Sequence, residues 1–301
     1  MKSKYHSGEL EVQTRAGVQD TARRVAGVIR STMPPVAREF LSDQRMVVVS
    51  TTDSDGRVWA SILTGEPGFM QAVDERTLRI DAEPVCGDPL SENLKTRDEI
   101  GVLVIELSTR RRMKVKGKAE LLQKGGICVH AERVYALCPK YIQARDVFAG
   151  ATESKAGQSM QRVENLTEKQ RDWIARADTF FIASFHPETG ADASHRGGYP
   201  GFVHVLNAQR LVFPDYSGNN MFNTLGNITA NPNAGLLFID FEYGSTLQIA
   251  GKARVIWEKD LIKEFAGAER LVEFEIKQSI EVTDAIPLRW RFKGYSPFNP
   301  G

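Results

Sequence analysis

The 301-residue sequence predicts a mainly β protein with flanking helices, folded as two tandem copies of one small barrel. The first observation behind this is an internal repeat. Gly65-Glu66-Pro67-Gly68-Phe69 returns as Gly198-Tyr199-Pro200-Gly201-Phe202, 133 positions later. At that offset Ser61 falls on Ser194 and Leu78 on Leu211. At 134 positions Gly101, Leu103 and Ile105 fall on Gly235, Leu237 and Ile239, and Gly117-Lys118-Ala119 falls on Gly251-Lys252-Ala253. A self-match at a fixed period is the signature of a repeated structural unit. The second observation is local: in each copy a short helix precedes apolar, β-branched runs broken by turn residues. The third is composition: 42% hydrophobic and 26% charged residues are ordinary globular values, over a length that holds two domains.

In the first copy Pro34-Pro35 opens a helix to about Leu41, since proline suits a helix's first turn. Strands are expected over 46–50, 58–63, 77–81, 100–107 and 112–121, with Asp53-Ser54-Asp55-Gly56 as a hairpin turn. In the second copy Thr167 and Gln170 resemble a capping box for a helix through Ala177. Strands follow over 179–185, 193–195, 210–213, 235–241 and 245–256. One helix and then closely spaced short strands read as a small β-barrel.

Ahead of the first copy, Val18, Ala22, Val25 and Ile29 lie at helical spacing and predict an amphipathic helix over 17–30, packed on the first barrel. Between the copies, 126–148 reads as helical with a break at Pro139, and the small, polar stretch 149–161 as a linker. The expected domains are a helical extension (1–33), a divergent first barrel (34–124), a helical connector and linker (125–165) and a second barrel (166–301).

A formal net charge of +1 gives no electrostatic case for a nucleic acid or membrane partner. No run of 18 apolar residues occurs, and the polar N-terminus lacks a signal peptide's apolar core. The odd set Cys86, Cys128 and Cys138 has no metal-ligand spacing, so a reduced, cytoplasmic protein is expected. His6, His130, His186 and His204 show no ligand spacing either, and no metal site is expected. Glycine-rich nucleotide loops, zinc patterns and hydrolase elbows are missing from the sequence. Cys138, ahead of Pro139 and Lys140, is either a thiol near a helix start or a buried inert cysteine.

Two segments of the second copy carry candidate chemistry. Asp192-Ala193-Ser194-His195-Arg196-Gly197-Gly198 sets a hydroxyl, an imidazole and a guanidinium at a strand end, ahead of two glycines. Arginine's planar fork suits phosphate oxygens, and glycine lets backbone N–H groups approach; an exposed turn is the plainer reading. Residues 212–227, from Val212-Phe213-Pro214-Asp215 through Ser217, Asn219 and Asn220 to Asn227, are dense in amides and hydroxyls. Such a set fits an aromatic ligand with polar ring edges and a phosphate tail, or equally an Asn/Gly turn.

Both segments, with Asn231-Pro232 and the strand 247–251, follow the order of the FMN-binding core of the pyridoxamine 5′-phosphate oxidase-like superfamily, and the chain resembles its flavin-nucleotide-binding members. The resemblance implies two tandem FMN-binding split β-barrels, with the intact site in the second. By position it implies that Ser194, His195, Arg196 and Gly197 line the flavin and that Phe213, Pro214 and Asp215 run beside its ring system. Ser217, Asn219 and Asn220 would stand at the phosphate loop, and Gln248 would reach in from a later strand.

One departure stands out: the oxidases carry basic residues after the loop serine, where this chain has Gly218, Asn219 and Asn220. The missing charge falls to Arg196, to His195 or to a cation from elsewhere. Alternation puts Arg112, Lys114, Lys116 and Lys118 of the first copy on one strand face, either a solvated outer face or a row turned toward the other barrel's phosphate. The first copy has Ser61-Ile62-Leu63 where the second has Ser-His-Arg, and it lacks the Asn-rich loop, so it is expected to be a structural partner. The family usually holds its flavin between two barrels, implying a homodimer or an internal pseudo-dimer. The resulting expectation is an FMN-dependent oxidoreductase on a small molecule. A non-catalytic flavin-binding or sensing module, or a barrel for haem or deazaflavin, stands beside it. No catalytic residue is assigned, and His195 is the only suggestive acid or base.

Overall fold

The computed structural model describes residues 3–123, 125–148 and 158–301. The first copy forms a seven-stranded antiparallel sheet from β1 (Met46–Thr52), β2 (Val58–Thr64), β3 (Met70–Ala72), β4 (Thr77–Ile80), β5 (Glu99–Glu106), β6 (Arg111–Leu121) and β7 (Ile127–Leu137), in the order β2-β1-β5-β6-β7-β4-β3. After β8 (Ala144–Phe148) and β9 (Met160–Val163) come β10 (Thr179–His186), β11 (Gly190–Gly197), β12 (His204–Asn207), β13 (Arg210–Tyr216), β14 (Asn233–Ile239), β15 (Thr246–Ile256) and β16 (Ala268–Val282). Their order is β11-β10-β14-β15-β16-β13-β12. Adding nine to each strand number converts one sheet into the other, so the repeat covers the whole barrel. β17 (Arg289–Gly294) returns to pair with β8.

Helices flank the sheets: α1 (Ser7–Arg15), α2 (Gln19–Val25), α3 (Pro35–Ser42), α4 (Leu90–Thr96), α5 (Glu168–Arg176), α6 (Asn223–Ala230) and α7 (Lys259–Ile262). The Thr167/Gln170 capping box at α5 forms as expected. None of the described helices is long and apolar enough to cross a membrane.

Three apolar clusters organise the molecule. One fills the first barrel around Val47, Val102, Val115 and Val129. Another fills the second around Phe180, Phe213, Phe238 and Phe274. The third is the seam between them, with Val48, Trp59, Ile62 and Leu103 against Phe181, Ala191, Leu237 and Ile280. The seam is two-fold in character: β5 packs on β11 as β14 packs on β2. This explains the repeated glycines. A Cβ on Gly101 would lie 2.7 Å from the Ala191 carbonyl oxygen and the Asp192 Cα, and one on Gly235 would lie 2.5 Å from the Val58 carbonyl oxygen. Only glycine lets these backbones meet. Gly101→Ala is therefore expected to lower stability by roughly 1–3 kcal/mol through overpacking. Denaturant unfolding checks this, and an unchanged midpoint would show that the seam yields.

The structure corrects three sequence expectations. Segment 126–148 is not helical: β7 and β8 occupy it, and β7 closes the first barrel against β6 and β4. Its alternating burial at Ile127, Val129 and Ala131 is a strand's period, broken by a bulge at Glu132. The linker shrinks, because Met160 and Gln161 already belong to β9, which pairs with β16; residues 149–157 lie outside the described residues. The helix expected over 17–30 ends at Val25 and continues only as a 3₁₀ turn. It packs on Tyr135 of the first barrel and Met221 of the second together. Ahead of it α1 docks on α6 through Gly8 and Gly226, without an apolar stripe to announce it.

Candidate flavin site

A cleft opens at one end of the seam, and both barrels of the one chain wall it. The second copy contributes Ser194, His195, Arg196 and Gly197 from the edge strand β11, Pro214 and Asp215 from β13, the loop residues Gly218, Asn219 and Asn220, and the first turn of α6. The first copy and its connector contribute Arg112 and Lys114 from β6 and Leu137, Cys138, Lys140 and Tyr141. Three lining residues other than glycine hold left-handed backbone: Tyr141 (φ 66°), Asn220 (φ 61°) and Phe222 (φ 58°). For bulky side chains this conformation is strained, and such strain collects at binding sites.

The charges are arranged in two tiers. The inner tier is closed. Lys114 Nζ donates to Asp192 Oδ1 and Oδ2 at 2.9 and 2.8 Å, with both side chains buried. Ser194 Oγ donates to Asp192 at 3.1 Å and accepts from Thr224 Oγ1 at 3.0 Å, tying the start of α6 to the pair. Lys116, also buried, lies in the field of the Asp192 and Glu9 carboxylates.

The outer tier is open. Arg112 donates from Nε to the Cys138 carbonyl (2.9 Å), from Nη2 to the Lys140 carbonyl (3.4 Å) and from Nη1 to His195 Nδ1 (3.2 Å). None of these acceptors is an anion. Burial, and then the neighbouring Arg196 guanidinium, lowers the Arg112 pKa to about 10. Because Arg112 can only donate, His195 accepts at Nδ1 and carries its proton on Nε2. Burial, Arg112 and Arg196 hold His195 well below the usual imidazole range, so it is neutral. Its Nε2 and Arg196 Nε are buried donors without a partner. Asp215 is the one carboxylate in the lining among the described residues. It is engaged by Arg270 Nε at 3.0 Å and stands 3.8 Å from Arg196 Nη2.

Most of the site residues expected from sequence meet here, and three do not. Phe213 is fully buried in the second barrel's core, edge-on to Phe180, because alternation turns it inward while Pro214 and Asp215 reach the cleft rim. The Ser217 side chain is not part of the lining; its carbonyl accepts from the Tyr141 hydroxyl at 2.8 Å. Gln248 lies at the opposite end of the seam. Its Nε2 donates to the Ala60 carbonyl (2.8 Å), Ser61 Oγ (3.3 Å) and Asp88 Oδ2 (2.9 Å). The pseudo-two-fold accounts for this. Each barrel's sixth strand serves the other barrel's cleft, so Lys114 takes the role at the second copy's site and Gln248 its counterpart at the first.

The basic row of the first copy does face the other barrel at Arg112, Lys114 and Lys116, while Lys118 turns outward to Asp98 at 2.9 Å. Tyr216 and Phe222 lie within the 212–227 segment that the sequence singles out, although neither was named as a site residue; Lys140 and Tyr141 were missed, and their place beside Cys138 was the only signal.

At the first copy's counterpart Ile62 and Leu63 are buried in apolar clusters where His195 and Arg196 line a cleft. Asp88 fills the polar remainder, accepting from Ser61 Oγ (2.7 Å), the Leu90 amide (2.8 Å) and Gln248. Burial pushes its carboxyl up to about 6 against the lowering by those donors. A raised folded-state pKa means stability present below about pH 4 and lost as pH rises through 6, by up to about 3 kcal/mol. Asp88→Asn should flatten the melting-temperature profile between pH 4 and 7; a profile parallel to that of the parent protein would refute this.

Comparison with known proteins agrees with this architecture. The family profile described as pyridoxamine 5′-phosphate oxidase matches residues 33–154 and again 166–292. The chain belongs to that family. Among solved structures, a pyridoxamine 5′-phosphate oxidase-like protein of Lactobacillus delbrueckii is 16% identical, with a TM-score of 0.32, over 39% of this chain and 98% of its own. An FAD binding protein of Mycobacterium smegmatis is also 16% identical, with a TM-score of 0.29, over 40% of this chain and 98% of its own. An F420 reductase is 14% identical, with a TM-score of 0.27, over 38% of this chain and 95% of its own. No curated protein sequence matches the chain.

Proposed function

We propose that the cleft of this pyridoxamine 5′-phosphate oxidase family member holds FMN, and that the protein is an oxidoreductase acting on a small molecule. The observation that carries the reading is the open outer tier. Arg112 has no anion of its own and Arg196 only a share of Asp215, which Arg270 already engages, and two buried donors, Arg196 Nε and His195 Nε2, lack partners. A phosphorylated ligand with acceptor atoms on a ring edge would satisfy all four.

The residues fit the group. Arg112, Lys140 and Arg196 would supply the charge that Gly218, Asn219 and Asn220 do not, with the first turn of α6 adding backbone donors. Tyr141 and Tyr216, with ring centroids 5.1 Å apart, and Phe202 and Phe222 offer apolar walls. When bound, FMN supplies the electron transfer. The chain's own groups bind and orient. Asp215, fixed by Arg270, steadies the Arg196 guanidinium, while neutral His195 holds a proton at Nε2 toward an acceptor. Because the first barrel completes the wall, one chain is sufficient for the site in this reading.

The purified protein should be yellow, and Arg196→Ala should lose the colour while melting like the FMN-free parent protein. Anaerobic NADH or NADPH should bleach the flavin absorbance, and air should restore it. Flavin that resists both reductants would favour a carrier or sensing module, and a colourless protein that takes up no FMN would sink both readings.

A further inference from the structure

Far from the cleft, three side chains of different chemistry converge on one face of the first barrel. Glu120 lies on β6 directly opposite Cys128 on β7, and His130 follows Cys128 by two residues. A strand's period of two then puts all three on one face. Cys128 Sγ lies 4.0 Å from His130 Nε2, which lies 3.6 Å from Glu120 Oε1, and all three ligand atoms fall within 4.8 Å of one another. We propose that Glu120, Cys128 and His130 form a binding site for a borderline divalent cation of the Zn2+ type, with water completing the coordination.

The geometry is near closure. Tetrahedral Zn2+ with ordinary bonds to sulfur, nitrogen and oxygen spaces its ligand atoms roughly 3.3–3.6 Å apart. The sulfur–nitrogen spacing of 4.0 Å exceeds that by a few tenths of an ångström, the nitrogen–oxygen spacing of 3.6 Å sits at its upper edge, and the remaining pair lies within 4.8 Å. The two flexible members can take up the difference: His130 and Glu120 side chains are 58% and 67% exposed. Two paired strands hold the backbone beneath them, so no loop has to be ordered.

The surrounding charge favours a cation. The nearby basic groups are engaged elsewhere, Lys118 Nζ with Asp98 (2.9 Å) and Arg79 Nε with Asp81 (2.6 Å). Glu120 is thus left with His130, an imidazole that is charged only when protonated. Thiolate and imidazole together select Zn2+ or Co2+ over Mg2+ and Ca2+, which take all-oxygen shells. Cys128 stands nine residues along β7 from Leu137 at the cleft, roughly 30 Å at strand rise. The site is therefore independent of the flavin.

Alkylation by iodoacetamide, read at each cysteine by peptide mass spectrometry with and without added Zn2+, tests the proposal on the protein as purified. Zn2+ should slow Cys128 at least tenfold and saturate at one ion per chain. Cys86, which is exposed, should react unchanged and serves as the internal control. His130→Ala and Glu120→Gln should each abolish the protection and leave the melting temperature without metal unchanged, since both side chains are mostly exposed. Zn2+ should raise the melting temperature of the parent protein and of neither variant. Equal alkylation of Cys128 with and without Zn2+, or protection that survives in either variant, overturns the site.

Discussion

Arg112→Ala is expected to weaken FMN binding by roughly 10–100-fold, although the residue belongs to the copy whose own site is closed. The magnitude follows from the loss of charge-assisted hydrogen bonds worth about 1.5–3 kcal/mol. Removing the guanidinium also frees His195 Nδ1, so the imidazole loses the contact that fixes its tautomer. One effect opposes this loss and another adds to it. Arg196 is relieved of a like-charged neighbour, and the 138–140 connector loses two anchors without entering the barrel core. The first is small against an anionic phosphate, and the second is checked by thermal unfolding. Titration of the apoprotein with FMN, followed by quenching of flavin fluorescence, measures the change. Arg112→Lys should recover part of the affinity, because it keeps the charge but not the planar fork. An affinity within threefold of the parent protein's would remove Arg112 from the site and leave Arg196 and Lys140 to carry the phosphate.

Asp192→Ala is expected to cost about 3–5 kcal/mol of stability, the effect of leaving a buried charge without its partner. The Lys114 ammonium would keep only Ser194 as an acceptor at the seam, and Ser194 would lose the acceptor for its own proton. Lys114→Met in the same chain should restore much of the loss, since an apolar pair replaces a broken ionic one. Burial pushes the Asp192 carboxyl up, but the Lys114 and Lys116 ammonium groups outweigh it and hold it below the usual carboxylate range. Its contribution is therefore present above about pH 4 and lost as pH falls through its folded-state pKa. The parent protein should lose stability on acidification more steeply than Asp192→Ala. Denaturant unfolding across pH 2–7 reads both effects; a single variant within 1 kcal/mol of the parent protein would mean that water replaces Asp192 at the seam.

The repeat was legible because glycines cannot drift where backbones touch. Gly101 and Gly235 match in sequence because each meets the other barrel's second strand. The Ser194-His195-Arg196 run was legible as a donor set, and the structure brings it to the cleft. Gln248 was not, because a linear alignment hands each copy its own later strand, whereas the fold exchanges them. Phe213 and Ser217 failed for a smaller reason: adjacent residues of a strand or loop alternate in direction, and resemblance transfers a segment rather than a face. β7 was misread as helix because the strand period of Ile127, Val129 and Ala131 is broken by a bulge at Glu132, before Val134 and Tyr135 are buried side by side.

Two copies of a small barrel, an amide- and hydroxyl-rich segment in the second, and a basic row lacking an evident partner were all determined by the sequence. Only the tertiary structure decided that the basic row completes the other copy's cleft, that His195 is neutral with a proton on Nε2, and that the first copy's equivalent is closed by Ile62, Leu63 and Asp88. The physical reason is that sequence periodicity reports which face of a strand is apolar. Which charge meets which across a seam depends on how two such faces are rotated against each other, and no local pattern encodes that rotation.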